Sequence, residues 1–72
     1  MTPIEIIHLI KARRASLGLS QQEVADTAGV PRQTYSCIER GSNLPNLALL
    51  HKICTALDLT IKVEQNDTPH PL

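Results

Sequence analysis

The three glycines of this chain divide its first 41 residues into short segments. They stand at positions 18, 29 and 41 of 72 residues, and each follows a stretch whose apolar residues recur at helical spacing. Glycine is a typical residue just past the end of a helix, because it tolerates the left-handed conformation that closes the last turn. The sequence therefore predicts short helices joined by tight turns.

Two capping boxes show where the first two helices begin. Thr2 with Glu5, and Ser20 with Glu23, have the spacing in which a hydroxyl accepts from the backbone three residues on and the glutamate bonds back. Pro3 also suits the first helical position. We predict one helix over residues 3–17 and a second over residues 21–28.

Two further helices follow. Val30-Pro31 opens a segment that runs to Arg40. The next residues, 41–46, include glycine, serine, two asparagines and a proline, which indicates a loop. Asn46 can cap a fourth helix.

One face of each predicted helix carries the residues expected in the core. These faces follow from helical periodicity alone. The expected inward residues are Ile7, Ile10, Arg14 and Leu17; Val24, Ala25 and Ala28; Thr34, Tyr35 and Ile38; and Leu47, Leu50, Ile53, Cys54 and Leu57.

The periodicity changes after the fourth helix. Apolar and polar residues alternate, which predicts a half-buried strand over residues 59–65. A lone strand leaves its backbone groups unpaired, and so small a chain buries little surface by itself. Pairing with a second copy through Leu59, Ile61 and Val63 would supply the missing backbone hydrogen bonds and bury more surface. Pairing with another protein, or a frayed helix end, are the alternatives.

Composition excludes several classes of protein. No apolar run is long enough for a membrane span, and two isolated cysteines do not make a secreted disulfide framework. The sequence lacks a metal-ligand cluster, a catalytic constellation and a phosphate-binding glycine loop. We therefore expect a soluble, cytoplasmic domain over residues 1–65 with a disordered tail over 66–72, no metal, no cofactor and no enzymatic activity.

The second and third helices, joined at Gly29, suggest a function. Two short helices in this order place the second in the DNA major groove. Arg32 can bond guanine and Gln33 adenine, each with two hydrogen bonds. The residues expected to contact DNA are Gln21, Arg32, Gln33, Ser36, Cys37, Arg40, Ser42 and Asn43.

Charge argues mildly against a nucleic-acid partner, since the seven basic and seven acidic residues cancel. Their distribution weakens the objection, because residues 1–40 carry five basic and four acidic side chains. Affinity depends on how many cations face phosphates. We expect modest affinity from each protomer.

The motifs "LSQQEVA" and "GVPRQTYSCIERG", followed by "LALLHKICTAL", resemble the phage-repressor (Cro/cI, or XRE-type) helix-turn-helix family. The resemblance covers roughly residues 7–59 and implies an all-α, four-helix, lambda-repressor-like domain. It also implies an ion pair between Arg14 and Glu39, and DNA contacts at the positions given above. Pro31, Tyr35 and Cys37 depart from the residues usual in that family.

The resemblance implies a transcriptional regulator that binds double-stranded DNA as a homodimer on a palindromic operator, and we expect it to act as a repressor. The short C-terminal strand is similar to that of HipB-like antitoxins. The alternative function is therefore an antitoxin that neutralises a toxin protein and regulates its own operon.

Overall fold

The computed structural model describes residues 2–65, and within that range the chain forms four helices and no strand. The helices are α1 (Pro3–Ser16), α2 (Gln21–Ala28), α3 (Arg32–Glu39) and α4 (Leu47–Ala56). The predicted number and order of helices are confirmed, although α1 and α3 each end one residue earlier than predicted. The predicted disordered tail, residues 66–72, lies outside the described residues.

Three of the four helices begin with the predicted side-chain cap. Each capping oxygen accepts a hydrogen bond from the backbone N–H three residues later, which satisfies one of the free donors of the first turn. The bonds join Thr2 Oγ1 to Glu5 N (3.2 Å), Ser20 Oγ to Glu23 N (3.0 Å) and Asn46 Oδ1 to Leu49 N (2.8 Å). Helix α3 begins after Pro31, whose side chain makes no capping hydrogen bond.

The glycines end their helices through one shared backbone pattern. At the end of α2, Gly29 adopts φ 73°, in the left-handed region. Its N–H donates to Asp26 O at 3.2 Å, and the N–H of Val30 donates to Ala25 O at 3.0 Å. Gly18 after α1 and Gly41 after α3 also donate to the carbonyl three residues back, and the residue after each glycine donates to the carbonyl five residues back. Each turn is thus closed by backbone groups and needs only one special residue.

All four helices contribute to one core. Tyr35 and Ile38 of α3 are fully buried, so the inner face of this helix is fixed by packing. The buried apolar cluster consists of Ile7, Ile10, Val24, Ala25, Tyr35, Ile38, Ile53 and Leu57.

Two residues expected in the core are exposed. Leu17 retains 42% of its surface and Leu47 retains 72%. Leu17 is the C-terminal cap of α1, and Leu47 is the first residue of α4. Both lie at the extreme end of a helix, beyond the part that other helices cover, and periodicity alone does not detect this.

The predicted strand over residues 59–65 is not found in the single chain. Leu59 packs against the core, and its N–H donates to Cys54 O at 2.7 Å. Beyond it the chain has no regular secondary structure, and Val63 is 94% exposed. A strand requires a neighbouring strand for its backbone hydrogen bonds, and residues 2–65 of one copy supply none.

The four described helices contain 14 residues or fewer. None of them is both long enough and apolar enough to cross a bilayer.

Helix α4 ends in the same way as the other helices, but without glycine. Asp58 adopts φ 56° and donates its N–H to Thr55 O at 3.2 Å. A left-handed conformation costs an L-residue roughly 1–2 kcal/mol, somewhat less for aspartate. The ion pair of Asp58 with Arg13 spans 3.9 Å, and the carboxylate side chain is 98% exposed, so it offsets little of that cost.

Substituting Asp58→Gly is therefore expected to stabilise the protein. We expect a gain of about 0.5–1 kcal/mol, because relief of backbone strain exceeds the added flexibility of the unfolded chain. Urea denaturation followed by circular dichroism measures the change. Asp58→Ala is the matched control: it removes the same carboxylate but keeps the strain, and should not stabilise. An equal gain in both variants would locate the effect in the charge instead.

Candidate nucleic-acid interface

Helices α2 and α3 form the two-helix unit predicted from the sequence. The left-handed Gly29 turns the chain between them. Val24 and Ala25 of α2 lie in the same buried cluster as Tyr35 and Ile38 of α3. Because α3 buries one face in this way, its opposite face is turned toward solvent.

The outer face of α3 is polar. Arg32, Gln33 and Arg40 are exposed, while Ser36 and Cys37 are half-buried. Arg40 Nη2 donates to Cys37 Sγ at 3.1 Å, so this guanidinium lies along its own helix. Five of the eight expected contact residues therefore share one surface of one helix.

The loop after α3 extends this surface. Ser42 and Asn43 are both exposed, as expected for residues that contact a DNA backbone. The loop begins where Ser42 N donates to Cys37 O at 3.0 Å, so its start is fixed to the end of α3.

Gln21 is held differently from the other expected contacts. It is half-buried at the start of α2, and its amide Nε2 donates to Glu39 Oε1 at 3.1 Å. The nitrogen that would bind a phosphate is thus engaged inside the protein. No local sequence pattern predicts this bond, because the two residues lie on different helices.

Behind this face lies a bidentate ion pair. Arg14 Nε donates to Glu39 Oε2 at 2.6 Å, and Arg14 Nη2 donates to Glu39 Oε1 at 3.0 Å. Arg14 Nη1 also donates to Leu19 O at 2.8 Å. The Glu39 side chain is 2% exposed and the Arg14 side chain 18%. The pair connects α1 to the last residue of α3 and to the turn that precedes α2.

Burial and hydrogen bonding act on Glu39 in opposite directions. Burial raises the pKa of its carboxyl, but the hydrogen bonds, chiefly that from Arg14, outweigh burial and hold the pKa below its usual value. The carboxylate therefore stays charged, and Arg14 stays paired.

Tyr35 places its hydroxyl in the same buried region. Burial, and then the nearby Glu39 carboxylate, raise the pKa of Tyr35. Its Oη makes no hydrogen bond of acceptable geometry within the described chain, which costs about 1–3 kcal/mol for a buried hydroxyl. The ring is fully buried and belongs to the core rather than to the polar surface.

Other kinds of site find little support among residues 2–65. No group of three or more histidine, cysteine, aspartate or glutamate side chains there could hold a metal ion. Cys37 and Cys54 are both free thiols, and burial raises the pKa of Cys54.

Comparison with known proteins points to one family. Residues 10–63 match a family model described as helix-turn-helix. The chain is 42% identical over 53 residues to the uncharacterized HTH-type transcriptional regulator YgzD of Bacillus subtilis, covering 74% of this chain and 80% of that protein.

Two further relatives agree. An uncharacterized HTH-type transcriptional regulator of Methanothermobacter thermautotrophicus is 47% identical over 49 residues, or 68% of this chain and 71% of that protein. The transcriptional regulator ClgR of Mycobacterium tuberculosis is 42% identical over 55 residues, or 76% of this chain but 49% of that protein.

Substituting Arg14→Met should destabilise the protein strongly. The variant leaves the Glu39 carboxylate buried without a cation, and we expect a loss of about 3 kcal/mol at pH 7, near the lower end for a broken buried pair because Arg14 keeps some exposure. Denaturant unfolding measures the loss. Lys11→Met, which removes an exposed charge from the same helix, should change stability by less than about 0.5 kcal/mol.

The deficit of Arg14→Met should also depend on pH. The pKa of Glu39 is lowered in the folded state. The wild-type ion pair therefore contributes its full stability above the unfolded-state pKa of about 4.3, and this contribution falls as the pH drops below that value. In the variant, burial without the Arg14 cation raises the pKa of the Glu39 carboxyl, so its protonation already begins at a higher pH and the deficit shrinks from there downward. The two proteins should therefore converge in stability below about pH 4; a deficit independent of pH would contradict a charged pair.

Proposed function

The chain belongs to the XRE-type helix-turn-helix family, and on this basis we propose that it is a sequence-specific DNA-binding transcriptional regulator. The observation that supports this most directly is the polar, solvent-facing side of α3, set opposite a fully buried side. A short helix with this division can enter the major groove while its inner face remains packed.

We assign base contacts to the first residues of α3. Arg32 and Gln33 are exposed side chains at its N-terminal end, where helices of this kind approach the base edges. Arg32 fits the two acceptors of guanine, and Gln33 fits the acceptor and donor of adenine. Ser36 and Cys37, one turn further along, would make shorter contacts because they are half-buried.

Phosphate contacts are assigned to residues around this central pair. Arg40, Ser42 and Asn43 follow the base-contacting turn and are exposed. Gln21 would contribute through its backbone N–H at the first position of α2, since its side-chain amide is bound to Glu39. Two exposed arginines, Arg32 on α3 and Arg40 directly after it, are few, so one protomer should bind weakly and with moderate salt dependence.

A homodimer would compensate for weak binding by one protomer. We propose that two copies associate through Leu59, Ile61 and Val63, with their α3 helices in successive major grooves about 34 Å apart on a palindromic operator. Occupation of such an operator within a promoter would repress transcription.

The base contacts are tested with Arg32→Ala and Gln33→Ala. Each should relax discrimination at one base position by roughly 1–3 kcal/mol, which a binding-selection assay on random DNA measures. Lys52→Ala, an exposed cation on α4, is the matched control and should leave the preferred sequence unchanged. Unchanged sequence preference in both α3 variants would refute the assignment.

The homodimer is tested with Ile61→Asp/Val63→Asp. Charges on this apolar segment should shift sedimentation equilibrium from dimer to monomer and weaken binding to a palindromic fragment by tenfold or more, since about 1.4 kcal/mol corresponds to tenfold. Gln22→Asp/Ala48→Asp adds the same charge at exposed first-turn positions and should remain dimeric.

A wild-type monomer without sequence preference would contradict both proposals. It would favour the alternative in which residues 59–65 pair with another protein, such as a toxin. An antitoxin that is itself a dimeric DNA-binding protein would pass both tests and differ only by its additional partner.

A further inference from the structure

An open apolar groove lies between α1 and α4. Its volume is about 600 Å³, and the chain after α4 forms one of its edges. On α1, Leu9 lines the groove and is 51% exposed. The main apolar lining residues are Ile6, Leu9, Ile10, Leu50, Leu59 and Ile61.

The segment at the edge of the groove has two chemically different sides. Lys62 Nζ and Glu64 Oε1 are 2.7 Å apart, so these two side chains lie together on one side. In an extended strand Ile61 and Val63 take the other side, because side chains alternate. Val63 is 94% exposed, so in the single chain its apolar side chain faces solvent.

We propose that a second copy of the chain covers this groove with its own residues 61–65, in an antiparallel register centred on Val63. The inference depends on the homodimer proposed above and specifies its interface. In this register Val63 faces the partner's Val63, and Lys62 of each protomer faces the partner's Glu64. The Lys62–Glu64 ion pair within each chain is thus replaced by two Lys62–Glu64 ion pairs between the chains.

Charge favours this register over those centred on residues 61, 62 and 64. A two-fold axis at Lys62 or at Glu64 sets that residue against its own copy, which opposes like charges. An axis at Ile61 sets Lys62 against the partner's Thr60 and so forms no pair of opposite charges. An axis between two residues sets an apolar side chain against a charged one. Only the axis at Val63 opposes charges of different sign and keeps all apolar side chains on one face.

Disulfide cross-linking tests the register. Directly opposed residues of antiparallel strands have Cα atoms about 4.5–5.5 Å apart, within the range a disulfide spans, whereas diagonal neighbours are further apart. Single cysteines are placed at positions 62, 63 and 64 in a Cys37→Ser/Cys54→Ala background, which circular dichroism must first show to be folded. Each protein, and the mixture of Lys62→Cys with Glu64→Cys, is then oxidised mildly.

The expected result is covalent dimer from Val63→Cys alone and from the Lys62→Cys and Glu64→Cys mixture. Lys62→Cys or Glu64→Cys alone should give several-fold less. Strong cross-linking of Lys62→Cys by itself would overturn the register. If Lys62→Cys cross-links by itself and sedimentation still shows a dimer, the homodimer stands and only the register is wrong. If sedimentation shows a monomer, both the homodimer and the register are wrong. The DNA-binding function is tested independently by the selection assay described above.

Charge exchange provides a second measurement that needs no cysteine. Lys62→Glu and Glu64→Lys each oppose like charges twice in this register, and each should raise the dimer dissociation constant by about tenfold. The double variant Lys62→Glu/Glu64→Lys restores both opposite pairs and should return it close to the wild-type value. A double variant as weak as the single ones would contradict the proposal.

Discussion

The buried ion pair between Arg14 and Glu39 determines where α3 lies. Its two hydrogen bonds attach the last residue of α3 to α1, and Arg14 also holds the carbonyl of Leu19 just before α2. Gln21 adds a third donor to the same carboxylate. With the Gly29 turn at its other end, α3 is positioned at both termini, so its outer face is presented in one orientation. A surface that contacts base edges requires this, because such contacts tolerate little displacement.

Local features of this chain were predictable and contacts between distant residues were less so. The caps at Thr2, Ser20 and Asn46 and the helix ends at the glycines depend on residues a few positions apart, and the structure has them where the sequence predicts. Leu17 and Leu47 are exposed where periodicity predicts burial, because burial at a helix end depends on which other elements reach it. The strand was expected from alternation, but a single chain cannot pair it.

The candidate site shows the same division. The polar face of α3 follows from helical periodicity, so the positions of Arg32 and Gln33 on the surface could be predicted from spacing. The bond from Gln21 to Glu39 could not, since nothing in the sequence near either residue encodes it. The unpaired Tyr35 hydroxyl was also not foreseen. It is a buried polar atom near the Glu39 carboxylate, which already accepts three hydrogen bonds from Arg14 and Gln21.

The separation of the two faces of α3 has an evolutionary consequence. Changes at Arg32, Gln33 and Ser36 touch neither the core nor the ion pair, so duplicated genes of this kind could diverge toward different operators without losing the fold. Their products would still share the segment after α4. If the proposed homodimer forms through this segment, recently duplicated copies would form mixed dimers with two different half-site preferences, until the residues near Val63 also diverged. In such a lineage, the proposed dimerisation segment rather than α3 would decide when two regulators become independent.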